Sequence, residues 1–116
     1  MSELITKEEI LEINKKYGGS LRSDAEIETA LYRGKGKAIY KKITYLWRAI
    51  LVGHPFTDGN KRTAFVVATL LLERSKVKLD ESRKEIILTE LTEIAKENIL
   101  DLNKIERRVR YAIEGR

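Results

Sequence analysis

Apolar residues recur along the chain at three- and four-residue intervals, the spacing of one face of an α-helix. Ile10 and Ile13 begin such a stripe behind Thr6-Lys7-Glu8-Glu9, which has the form of a capping box, and Gly18-Gly19 closes the helix. Ser23-Asp24-Ala25-Glu26 offers a second capping box, followed by Ile27, Ala30 and Leu31 on one face. The pattern fades at Tyr32-Arg33-Gly34-Lys35-Gly36-Lys37, where two glycines and three cations predict a flexible basic loop. A third helix carries Ile39, Ile43, Leu46, Trp47, Ile50 and Leu51 and runs into Val52. Gly53 stands where a left-handed C-terminal cap is expected, and Pro55 prevents continuation.

From Thr63 to Leu72 the chain is apolar on nearly every side, which predicts a helix from about Asn60 to Ser75 that is buried all round. Val77-Lys78-Leu79 reads as a short extended connection. Ile87, Leu91, Ile94 and Ala95 mark a fifth helix, and Leu102, Ile105, Val109 and Ile113 a sixth, with Asp101 as its cap. No alternating run supports a sheet, and the glycine-rich loop alone leaves room for a short β-hairpin. The expected architecture is all-α: a compact single-domain helical bundle over residues 1–116 around one buried central helix.

Composition narrows the function classes. At 116 residues, 42% hydrophobic and 35% charged, the chain suits one globular domain. Without cysteine there is neither a disulfide framework nor a thiolate metal site. No apolar run is long enough to cross a bilayer and Met1-Ser2-Glu3-Leu4 is no signal peptide, so a cytoplasmic protein without a membrane partner is expected. Abundant Lys, Glu and Arg without Gln or Cys lean toward a thermophilic source. The net charge of +5 favours acidic partners, although most of it is spread over mixed Lys/Glu faces. The cations lack interleaved aromatics and no helix-turn-helix pattern occurs, which argues against nucleic acid as the partner.

The chemistry is concentrated in His54-Pro55-Phe56-Thr57-Asp58-Gly59-Asn60-Lys61-Arg62, which holds the chain's one histidine and one proline. Asn60 to Thr63 fall in the first turn of the buried helix, whose open N–H groups and dipole attract an anion. Gly59 lets backbone approach that anion without a Cβ in the way. Lys61 and Arg62 add positive charge, the latter with a fork suited to phosphate oxygens. Asp58 is a hard oxygen ligand of the kind a phosphate-bridging Mg²⁺ needs in ones or twos. His54 is the one group in the stretch that takes a proton near neutral pH, as a base on a hydroxyl. Phe56 reads as an apolar anchor pinning the loop to the core. Singly, each residue has an ordinary structural explanation: a cap, a turn, a solvated face. Together, at the mouth of the most apolar helix, they describe phosphoryl or nucleotidyl transfer.

The nonapeptide resembles the active-site motif of the Fic/Doc (Fido) superfamily, His-x-Phe-x-Asp/Glu-Gly/Ala-Asn-Gly/Lys-Arg, and the surrounding helices extend the resemblance over essentially the whole chain. The resemblance implies that His54 deprotonates a target hydroxyl, that Asp58 holds Mg²⁺, and that Gly59, Asn60, Lys61 and Arg62 grip the phosphates of ATP or another nucleoside triphosphate. It also implies a target-docking flap, matched by position to Tyr32, Arg33, Gly34, Lys35, Gly36 and Lys37 and reaching roughly to Tyr40. Where the AMP-transferring members have glycine and a second arginine, this chain has Lys61 and Phe65. Both changes resemble the Doc (death-on-curing) toxin type, which phosphorylates elongation factor Tu with inverted nucleotide placement. The implied function is a toxin-type phosphotransferase acting on a hydroxyl of a target protein, with a translation factor as one such target. Pro55 and Gly59 are closer to Fic and keep AMP transfer as the alternative; a non-catalytic interaction module is the third reading. Thr89 to Glu93 has the spacing of the family's inhibitory segment but Ile94 follows it, so restraint is expected from a separate antitoxin protein.

Overall fold

A computed structural model describes residues 4–115, and the reading of Met1-Ser2-Glu3 lies outside them. Six α-helices follow in order: α1 (Lys7–Lys15), α2 (Ala25–Gly34), α3 (Ile39–Trp47), α4 (Asn60–Arg74), α5 (Glu81–Glu97) and α6 (Leu102–Glu114). No sheet forms among the described residues, and the fold is all-α.

α1 begins as its sequence predicts. Thr6 Oγ1 accepts from Glu9 N and Glu9 Oε1 accepts from Thr6 N, both at 3.1 Å. The second capping box does not form: Asp24 occupies the cap of α2 without a side-chain bond to the helix, while Ser23 Oγ accepts from Ala25 N at 3.3 Å. A serine one position early reaches the first helical amide instead of the third. Asp80 and Asp101 cap α5 and α6 through bonds to Arg83 N and to Asn103 N and Lys104 N.

α4 is the central element. No residue from Thr63 to Leu72 is exposed, and α1, α3 and α5 pack around it. Ala64, Val67, Ala68, Leu71 and Leu72 are fully buried in one core with Ile10, Ile27, Ile43, Leu46, Trp47, Ile87, Leu91 and Ile105. Trp47 Nε1 donates to Ala64 O at 3.1 Å, so the largest core side chain has its polar atom satisfied and ties α3 to α4.

Two expectations about connections fail. Tyr32, Arg33 and Gly34 belong to the last turn of α2, and residues 35–38 make one tight turn in which Lys37 N donates to Gly34 O at 3.1 Å. No β-hairpin flap exists there, because the helical hydrogen bonding of α2 persists through Gly34 and Lys42 Nζ covers its carbonyl at 2.8 Å. The third helix does reach Val52, but its final residues, Arg48–Val52, form a π-turn. Gly53 then keeps right-handed angles (φ −71°), and the left-handed residue is His54 (φ 48°). Widening the last turn by one residue moves the reversal from the glycine to the histidine.

Candidate active site

The approach to the site is strained where the chemistry sits. A β-carbon at positive φ clashes with its own backbone and costs about 1–3 kcal/mol. His54 carries this strain because its neighbours on both sides are fixed: the π-turn before it, and Pro55 and Phe56, both buried, after it. The result is an exposed histidine whose imidazole makes no hydrogen bond to another described residue.

Three sets of bonds hold the loop after it. Phe56, 2% exposed, sinks its ring into the core. Asn60 Nδ2 donates to Phe56 O at 2.9 Å and Asn60 Oδ1 accepts from Phe56 N at 3.3 Å, so this carboxamide is occupied in closing the loop. Across the loop lies the segment after α1. Leu21 pairs with Phe56 in an isolated antiparallel bridge, with Thr57 N donating to Ser20 O at 2.9 Å and Arg22 N to Pro55 O at 2.7 Å. Beneath it, buried Asn14 donates to Asp58 O at 2.8 Å and to Thr63 Oγ1 at 3.1 Å.

Gly59 caps α4 in the left-handed region (φ 74°), and a β-carbon there would stand 2.9 Å from Tyr17 Cβ and 3.2 Å from Asn14 Nδ2. Conformation and space both require glycine. Its N–H donates to Asp58 Oδ1 at 2.8 Å, which orients the carboxylate and leaves Oδ2 open among the described residues.

His54, Thr57, Asp58, Gly59, Asn60, Lys61 and Arg62 open onto one cleft of about 530 Å³, completed by Tyr17, Leu51, Ala95 and Lys96. Asn60, Lys61 and Arg62, whose first-turn N–H groups have no acceptors of their own in the helix, line it. With Lys61, Arg62 and Lys96 facing Asp58, the cleft carries a positive excess suited to a polyanion. The Arg62 guanidinium lies 5.8 Å from the centre of the Tyr17 ring, which steadies it at the rim.

The nonapeptide's polar residues therefore share a single space. None of Tyr32, Arg33, Gly34, Lys35, Gly36 and Lys37 lines it; Lys35 instead sits over Tyr32 at 5.8 Å. Four contributors escaped the sequence reading: Asn14, Tyr17, Lys96 and the bridging segment at Ser20–Arg22. Asn14 had a signal, since it lies four positions after Ile10 on the apolar stripe of α1, where a polar side chain calls for a buried partner. Among the described residues no group of three or more His, Cys, Asp or Glu gathers as a metal cage, and no helix is long and apolar enough to cross a membrane.

No curated protein and no solved structure matches the chain. Compared with sequence families, residues 4–72 match the Fic/DOC family, a span that takes in α1 to α3, the loop with all of its clamps, and α4 but for its last two residues. That match covers more than half of the chain, and the protein belongs to the Fic/DOC family, whose members in general are nucleotide transferases.

Proposed function

We propose that this protein moves the terminal phosphoryl group of a nucleoside triphosphate, ATP being the test case, to a hydroxyl side chain of a target protein in the cytoplasm. The observation that carries this reading is the single cleft that His54, with no hydrogen bond to another described residue, lines together with the N-terminal residues of α4 and Lys96. The target oxygen attacks the γ-phosphorus and passes its proton to a ring nitrogen of His54. The bond from that phosphorus to the β–γ bridging oxygen breaks, and the nucleoside diphosphate leaves. Its growing charge is met by the open amides of α4, fixed by the helix, and by the side chains of Lys61 and Arg62.

Asn60 serves through its backbone, because its carboxamide already holds Phe56. Mg²⁺ suits the one oriented carboxylate of Asp58, since this ion takes one or two protein oxygens and completes its shell with phosphate and water. When bound, it would neutralise charge on the phosphates.

Phosphoryl transfer is favoured over AMP transfer by Lys61, which fills part of the cleft where a glycine would leave space, and by the apolar Phe65 one turn along. AMP transfer is the second reading, supported by Pro55 and Gly59. Mass spectrometry of a lysate incubated with the protein, ATP and Mg²⁺ decides: a target gains one phosphoryl group, or one AMP. No gain on any protein would favour a non-catalytic interaction module.

A toxin role with a separate antitoxin accompanies the first reading. An acidic amphipathic helix would complement the basic cleft rim. Expression of the wild type alone should then arrest growth, and co-expression of the neighbouring reading frame should restore it. Growth unaffected by the active enzyme would set the toxin role aside while leaving the transfer reaction in place.

A further inference from the structure

The left-handed turn at His54 depends on the π-turn before it, and a π-turn has to be held open. In an α-helix each N–H closes on the carbonyl four residues back. Here Gly53 N passes over Ala49 O and donates to Arg48 O, five residues back, at 3.2 Å. Relaxing that bond to the α-helical one would rotate the following residues by one residue's step, about 100°, and re-aim His54.

Side chains from elsewhere in the fold meet at this turn. Gly53 has ordinary right-handed angles, so its missing side chain is a matter of space: a β-carbon there would collide with Glu26 Oε2 and with Ala49 O. The carboxylate of Glu26, in the first turn of α2, therefore lies on the open face of Gly53, next to His54. Arg48, the first residue of the π-turn, places its guanidinium 3.9 Å from the Glu26 carboxylate and donates through Nε to Leu100 O at 2.9 Å. Leu100 lies in the connection between α5 and α6, four positions after Lys96 of the cleft. One arginine thus joins α2, the π-turn and the α5–α6 connection, and its own carbonyl accepts the bond that makes the turn wide. Arginine suits the place, because its rigid fork can give one donor to a carbonyl while another faces a carboxylate.

We propose that Arg48 is a positioning residue for His54: with Glu26 it clamps the π-turn and so fixes the direction in which the histidine enters the cleft. Neither Arg48 nor Glu26 lines the cleft, so both act through His54. The effect on turnover rests on the transferase reading, whereas the clamp is a statement about backbone geometry and is tested without it.

The chain has one histidine, so untagged protein labelled with ¹⁵N in histidine alone gives NMR signals from His54 and no other residue. The His54 backbone amide signal should move or split in Arg48→Ala and move in Glu26→Ala. The double variant should move it no further than Arg48→Ala does, since the two residues act as one clamp. With ATP saturating, the rate at which lysate protein is modified by Arg48→Ala should fall about 10- to 100-fold, while ATP affinity by calorimetry stays at the wild-type level. Arg48→Lys keeps the charge without the fork and should recover part of both signals. Arg74→Ala is the matched control: Arg74 likewise donates to a main-chain carbonyl, Leu4 O, and pairs with a glutamate, Glu9, but at the other end of α4. It should lose stability and leave the His54 signal and the rate unchanged. An unmoved His54 signal in Arg48→Ala overturns the clamp, and so do additive shifts in the double variant. An equal fall in rate for Arg74→Ala overturns the positioning role. Wild-type protein that modifies nothing removes the transferase reading, and the NMR comparison then decides the clamp alone.

Discussion

Asn14 and Asp58 stand 44 positions apart in sequence, yet Asn14 Nδ2 donates to the Asp58 carbonyl at 2.8 Å. Asn14 is 1% exposed and spends the same amide on Thr63 Oγ1, in the first turn of α4. One side chain from α1 thus sets the angle at which the loop delivers its carboxylate and the helix its amides. Asn14→Leu keeps the volume and removes both bonds. Leaving buried acceptors without a donor should cost about 1–3 kcal/mol, read by chemical denaturation. Well below the melting temperature, turnover should fall more than ATP affinity falls. A variant that is less stable but fully active would make Asn14 a core residue and nothing more.

His54 separates chemistry from stability. His54→Ala should lower transfer by roughly 10²–10⁴-fold while ATP still binds. His54→Gly should be equally inactive but more stable than the alanine variant by about 1 kcal/mol, because glycine accepts the left-handed angles without strain. Thermal melts of the two variants side by side provide the comparison. Equal stability would mean that the positive φ relaxes on substitution.

Phe56 is the opposite case. Its ring makes no contribution to the cleft lining but is buried under it, and Phe56→Ala should lose about 3–5 kcal/mol of stability. An unchanged melting temperature would contradict the burial.

Away from the site, Glu9 binds Arg74 through two side-chain bonds of 3.0 and 2.6 Å, joining α1 to the end of α4. The Arg74 bonds hold the Glu9 carboxyl below its usual range against the opposing effect of burial, and the Thr6 amide adds a lesser contribution in the same direction as Arg74. A folded value below the unfolded one stabilises fully above the ordinary glutamate pKa, roughly 4.3, and is lost as pH falls through the folded value. Glu9→Gln should therefore be less stable than wild type at pH 7 and approach it as the pH is lowered past 4. Urea midpoints at the two pH values test this, and a gap that widens in acid would reverse the sign.

The periodicity of the chain made the helices legible, because each buries one stripe and α4 buries nearly all of its surface. The motif was legible because its residues are contiguous and chemically unlike their surroundings. What the sequence hid is non-local or depends on a count of one. The π-turn at Arg48–Val52 differs from an α-helix by a single residue per turn, which no apolar spacing reveals, and it decides that His54 and not Gly53 turns left-handed. Gly34 and Gly36 suggested a flap, but Gly34 is tolerated inside α2 where Lys42 packs against it. Lys96 looked like one more solvated cation until the packing of α5 on α4 brought it to the cleft.

The pairing of Ser20–Arg22 with the loop has a consequence for when the site comes into being. Ser20 and Thr57 are 37 positions apart, and drawing such distant points together in an unfolded chain costs roughly 3 kcal/mol before any contact forms. The intervening α2, α3 and π-turn shorten that search once they have docked, so closure of the loop belongs among the late events of folding. A chain still leaving the ribosome carries the whole nonapeptide well before α4 can be clasped by α1. During that interval it has the letters of the motif and none of its geometry. The enzyme is thus born inert, and its chemistry arrives with the last long-range contacts of its N-terminal half.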